Sequence, residues 1–177
     1  MRPLERRGLV ALAAVCATAL LGCANDAGDD QLQALDGDGF SVKMPGDPKR
    51  STQTVRTAAG PVVLTAYVTQ GGDEGFSFSV ATLPAGVEGD LDGAVRGAAD
   101  NVGGTARNTV ETTYQGFPAR DARIVDAEDE NGNEGTVFAR VILAKGRLYQ
   151  LQFVQEGADV KRPPATYQEF LASLEIG

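Results

Sequence analysis

The chain has no histidine and no tryptophan, only two cysteines, and few aromatic side chains: seven Phe and four Tyr in 177 residues. Without histidine, neither a Ser-His-Asp triad nor a Cys-His pair can form, and a His-ligated metal site is excluded. No G-x-S-x-G elbow, P-loop, G-x-G-x-x-G or S-x-x-K pattern is present either. Cationic side chains are scarce, with 16 Lys and Arg against 24 Asp and Glu. A nucleic acid rewards clustered Lys and Arg, so that class of partner is excluded as well. Long apolar runs are nearly absent. The one exception is the uncharged stretch Gly8 to Leu21, and it falls short of the roughly 20 residues a membrane span needs.

That stretch follows a positive segment with Arg2, Arg6 and Arg7. A basic start and a short apolar run are the parts of a secretory signal. It ends in Leu20-Leu21-Gly22-Cys23, which is similar to the lipobox of bacterial lipoproteins. An ordinary secretory site fits Ala17-Thr18-Ala19 loosely, but a cysteine directly after Leu-Leu-Gly favours the lipobox. The resemblance implies lipidation of Cys23 (palmitate and a diacylglyceryl group), with Leu20, Leu21 and Gly22 read by the signal peptidase. Small Gly22 admits the peptidase to the backbone, Leu20 fills an apolar subsite, and Cys23 supplies the sulfur. Cys16 would leave with the signal, so the mature monomer has no disulfide. Two or more acyl chains anchor stably where one does not.

The expected organisation is a removed signal over 1–22, lipidated Cys23 and an acidic flexible tether over 23–38, and one domain over 39–177. Cleavage takes away Arg2, Arg6, Arg7 and Glu5, shifting the formal charge from −8 to −10. The tether, with Asp26, Asp29, Asp30, Asp36 and Asp38, is too polar to fold alone. Ala24 to Leu35 reaches about 20 Å as a coil. The domain would stand outside the cell membrane or outer membrane. Ala24, rather than Asp, follows Cys23, which by the lipoprotein sorting pattern favours the outer membrane where there are two.

Alternation then predicts strands at Phe40–Met44, Thr52–Thr57, Val62–Thr69 and Phe76–Leu83, the last two joined by a five-residue loop from Gly71 to Gly75. Leu91, Ala94, Val95, Ala98 and Val102 form one helical stripe, with Asp90 placed as its cap and Gly103-Gly104 as its end. Four further strands are expected at 107–114, 119–127, 136–144 and 148–154. A second helix carries Tyr167, Phe170, Leu171 and Leu174, started by a Thr166/Glu169 capping box or earlier by Pro164. Hairpin-length connections give an α+β fold: a largely antiparallel sheet of about six to eight strands, covered by two helices.

Gly39-Phe40-Ser41-Val42-Lys43-Met44-Pro45-Gly46-Asp47-Pro48 is similar to the opening of many bacterial envelope lipoproteins. Gly116 to Arg120, Arg147 to Leu151 and Phe170 to Leu174 match the same group. The order of elements from Gly39 to Ile176 resembles the PsbP-like α-β-α sandwich shared with the Mog family. The resemblance implies a non-catalytic binding or assembly accessory that meets an envelope protein, with no cofactor. It carries over no site residues, so the ligand-binding residues are unknown. The alternative is a small-molecule or lipid-binding module using a cleft between sheet and helix.

Two local features compete for chemistry. Asp126 to Glu134 is rich in oxygen ligands, yet setting Gly132 at position six of a calcium loop puts Ala127 at position one and Phe138 at position twelve, where acids are required. Asp36-Gly37-Asp38-Gly39 fails the same test. A solvated hairpin tip is the expected reading, and no metal is expected. Tyr67, Tyr114, Tyr149 and Phe153 suit either a cleft wall or a core face, and the alternation of Tyr149, Leu151 and Phe153 favours core.

Overall fold

The computed structural model describes residues 32–57, 60–128, 132–157 and 159–177. The chain runs β1 (Leu32–Gly37), β2 (Phe40–Pro45), β3 (Lys49–Thr57), β4 (Gly60–Gly71), β5 (Glu74–Thr82), α1 (Leu91–Asn101), β6 (Thr105–Tyr114), β7 (Phe117–Glu128), β8 (Glu134–Ala144), β9 (Arg147–Glu156), α2 (Ala165–Ala172) and β10 (Glu175–Ile176). Seven strands form an antiparallel sheet in the order β3-β4-β5-β9-β8-β7-β6, and β1-β2-β10 form a small second sheet. Among the described residues no helix is long and apolar enough to cross a membrane.

Alternation along the strands sorts side chains onto two faces. On one, Leu91, Ala94 and Val95 of α1 pack on Val62, Leu64, Ala81, Ala122, Val141 and Leu148, while Ala98 and Ala99 reach Ile124, Ala127 and Val137. On the other, Phe76, Phe78, Tyr149, Leu151 and Phe153 meet α2 through Tyr167, Phe170 and Leu171, and the small sheet through Phe40, Val42 and Met44. The layers are therefore helix, large sheet, then helix with small sheet. This is the α+β sandwich expected from the pattern. Phe78, Leu151, Phe153 and Phe170 are wholly enclosed, and each such side chain contributes about 1.5–3 kcal/mol.

α1 begins and ends where its sequence directs. The Asp90 carboxylate accepts from the Gly93 amide at 2.8 Å. At the other end Gly103 adopts φ +64°, and the amides of Gly104 and Gly103 return to the carbonyls of Ala99 and Asp100. That is a Schellman end, which needs a residue free to take positive φ. A Cβ on Gly104 would stand 2.7 Å from a methyl of Ile124 and 2.8 Å from the Val125 carbonyl, so the helix leaves directly against β7.

Four expectations change. Residues 32–37, expected in the tether, form β1, paired along its whole length with β2 from Leu32↔Pro45 to Gly37↔Phe40. The cause is Asp38-Gly39, a two-residue turn of the kind that closes hairpins. Gly39 supplies φ +75°, and Leu35 packs on the core. Arg147 secures the turn by bonding the Asp38 carbonyl and carboxylate. Second, the β4–β5 register Gly71↔Glu74 leaves only Gly72-Asp73 in the turn, not five residues. Third, α2 takes the earlier of its two expected starts, at Ala165 behind Pro164 with the Thr166 box unused, but it ends at Ala172, leaving Leu174 beyond the helix. Fourth, β10 adds a last strand on Phe40 and Ser41 of β2.

Candidate functional site

Leu20, Leu21, Gly22 and Cys23 lie outside the described residues, as do Asp129, Glu130 and Asn131 of the acidic loop. That loop spans the gap after the pair Glu128↔Glu134. Among the described residues no group of three or more His, Cys, Asp or Glu is placed to hold a metal ion.

The four aromatic candidates divide. Tyr149 and Phe153 are core, both enclosed beneath α2 and the small sheet. Tyr67 is half-buried and packs on Phe78 and Phe40. Tyr114 does something the alternation could not indicate. Its hydroxyl lies 2.8 Å from the Leu171 carbonyl and 2.6 Å from that of Leu174, while Gln115 Nε2 donates to Leu174 at 2.8 Å. The last carbonyls of a helix have no partner within it, and the β6–β7 turn supplies one.

The space between sheet and α2 is thus filled with rings. Phe76, Phe153, Tyr167 and Phe170 meet at centroid separations of 4.9 to 6.4 Å, the range aromatic pairs favour. What stays open is a solvent-facing groove of about 280 Å³ beside α2, bounded by Asp121 and Arg123 of β7, Phe138 and Arg140 of β8, Lys161, and Tyr167, Gln168 and Leu171 of α2. Asn108 reaches the rim from β6. It holds φ +51° where the β6–β7 register shifts, and such bulges turn side chains out of the regular alternation.

The charges around this groove are held in place. Arg140 grips Asp121 with two bonds, Nε to Oδ1 at 2.6 Å and Nη2 to Oδ2 at 2.7 Å. Its guanidinium carbon also stands 5.8 Å from the centre of the Tyr114 ring, within cation–π reach. The bond from Asp121 raises the Arg140 pKa above its ordinary value, against an opposing effect of burial. Arg123 Nη1 donates to Asp159 at 2.7 Å and to the Val160 carbonyl at 3.1 Å. Lys161 bonds the other oxygen of Asp159. The Lys161 bond first, with Arg123 assisting, holds the Asp159 carboxyl below the usual range.

Two polar groups at the groove stay unpaired among the described residues: the buried Arg123 Nε and the hydroxyl of Tyr167. Only 4% of Tyr167 is exposed, and it borders the groove. Burial chiefly, helped by the charge of Asp121 and opposed by Arg140, pushes its pKa well above the ordinary tyrosine value. At neutral pH the group is an unclaimed O–H donor.

Sequence reasoning missed this groove because its polar members lie far apart in the chain, from Asn108 to Gln168. A weak signal was available: Arg140 is a charge inside the otherwise apolar run Val137 to Ala144.

The sequence matches no known family model and no curated protein. The fold does have counterparts among solved structures. The cyanobacterial PsbP (CyanoP) of Synechocystis sp. PCC 6803 superposes with a TM-score of 0.51 at 16% identity, covering 90% of this chain and all of that one. The Ran-binding protein Mog1p of Saccharomyces cerevisiae gives 0.45 at 10% identity, covering 82% and 96%. LpqN, involved in cell envelope biogenesis of Mycobacterium tuberculosis, gives 0.40 at 14%, covering 82% and 90%. The fold is PsbP-like.

Proposed function

We propose that the protein is a lipoprotein anchored through Cys23 on the extracytoplasmic side of a membrane, and that its domain is a non-catalytic accessory that docks an envelope protein at the groove beside α2. One observation carries the docking reading. The interior between sheet and helix is packed with aromatic rings, while the groove outside it stays open and is bounded by fixed charges. Pre-set charged groups favour a particular partner orientation more than they add raw affinity. A lipid or small-molecule binder uses a mostly apolar cleft or cavity that covers most of its ligand, and the rings occupy the place where that cleft was expected. No nucleophile is paired with a general base around the groove.

A photoreactive residue at exposed Gln168 is expected to form adducts with a membrane-associated protein in cells. The same residue at Arg96 on the α1 face, where the side chain is 65% exposed, is expected to form none. Equal labelling at both positions, or none at Gln168, overturns the docking reading. The anchor is tested separately. Cys23→Ala is expected to lose fatty-acid labelling and detergent-phase partition, and a variant that still labels refutes the lipobox.

A further inference from the structure

We propose that the groove beside α2 receives a carboxylate carried on an acidic segment of the partner protein. This rests on the reading of the groove as the docking surface and names the chemistry it selects.

The first ground is the local sign of charge. The chain carries a net −8, yet the ionic groups bordering the groove are Arg123, Arg140 and Lys161 against Asp121 alone. Asp159, outside the lining, pairs with Arg123 and Lys161 and positions them, so the ionic groups at and beside the groove are three cations and two carboxylates. A protein whose overall charge repels anions has concentrated cations where it is open.

The second ground is the balance of donors and acceptors. Asp121 is already committed to both arms of Arg140, which leaves it little to offer a ligand. Lys161 has three N–H donors and gives one to Asp159. Tyr167 contributes an O–H with no partner and Arg123 a buried Nε with none, while the rim amides of Gln168 and Asn108 both donate and accept. What the unpaired donors lack is an acceptor. A carboxylate, with two oxygens and about four lone-pair sites and no proton to give, meets that demand.

The third ground concerns the carrier. The opening, about 280 Å³, is continuous with solvent, so a segment can lie along it. Phe138 and Leu171 line the groove from the core, 7% and 4% exposed, and the half-buried Pro163 is the apolar side chain that meets a residue next to the acid. An acidic segment with interspersed apolar residues satisfies both parts.

The test uses the full chain in detergent, titrated by calorimetry with an end-blocked Glu-Leu-Glu-Leu peptide, its Gln-Leu-Gln-Leu counterpart, and inorganic phosphate. The acidic peptide is expected to bind saturably, more weakly at high salt, and at least about tenfold more tightly than the Gln peptide, the worth of one charge-assisted bond. Tyr167→Phe is expected to weaken it by about tenfold while leaving urea unfolding unchanged, and Lys161→Glu to abolish it. Equal affinity for the two peptides, indifference to Tyr167→Phe, or saturable binding of phosphate without the peptide each overturns the inference. If any of these occurs while Gln168 adducts persist in cells, the docking reading stands and only the acidic partner is lost. If the adducts are absent, the docking reading itself fails.

Discussion

Tyr114 and Tyr167 permit one chemical change, the loss of a phenol hydroxyl, to be made twice with opposite expectations. In Tyr114→Phe the ring stays beneath Arg140 at 5.8 Å, and the core contacts are kept. What goes is the O–H between the Leu171 and Leu174 carbonyls. Leu174 keeps the Gln115 amide, so Leu171 is the acceptor left without its side-chain donor. An unpaired acceptor that is fully buried costs roughly 1–3 kcal/mol. This one is part-buried, so the lower half, about 1–2 kcal/mol, is expected. For a domain of this size each kcal/mol moves the Tm by about 2–4 °C, giving a fall of about 2–8 °C. Tyr167→Phe removes a hydroxyl that bonds nothing in the described structure, so its effect should stay within about 0.5 kcal/mol despite the residue's deeper burial. Urea unfolding followed by circular dichroism reads both, with an unchanged m-value showing that the unfolded reference has not moved. Equal midpoints, or a larger loss in Tyr167→Phe, would refute the assignment of the Tyr114 hydroxyl as the cap of α2.

Leu171 is 4% exposed in the aromatic core, so Leu171→Asp should cost several kcal/mol by burying an unpaired charge, whereas exposed Lys161→Ala should stay within about 0.5 kcal/mol. Indistinguishable melting temperatures would take α2 out of the core. Burial raises Tyr167, and also Tyr114, above the ordinary tyrosine value of 10.0. The fold therefore favours the neutral phenols, and that contribution is complete below about pH 10 and is lost as pH climbs through the folded values. Tyr167→Phe should flatten the alkaline fall in stability, and a fall of unchanged steepness would count against it. For the acidic loop, a micromolar calcium site would add about 2.7 kcal/mol or more once calcium exceeds Kd a hundredfold. The expected Tm shift relative to magnesium is near zero, and a calcium-specific rise abolished by Asp129→Ala would reverse that reading.

Where local periodicity carried the information, the sequence was sufficient. The stripe from Leu91 to Val102, bracketed by Asp90 and Gly103-Gly104, is α1 to within a residue. The strand-like runs after it became β6 to β9, because runs of that length bounded by turn residues can be read without knowing the partner strand. Leu32–Gly37 was obscured for the opposite reason. Its two leucines are three apart and its aspartates look solvated, so only pairing with β2 and the Asp38-Gly39 turn reveal a strand. β10 is too short to have a period at all.

The sequence alone therefore determined the class of the fold, most of its elements, and the absence of any chemistry that needs histidine. Tertiary structure alone decided the strand order that sets β5 beside β9, the filling of the sheet–helix space with rings, and the groove beside α2. The reason lies in range. Helix stripes and strand alternation are written over a few neighbouring residues, whereas Asp121, Arg140, Asp159 and Tyr167 become neighbours only after β7, β8 and α2 have packed. No spacing in the chain encodes that Tyr167 reaches the groove with its hydroxyl donor unpaired.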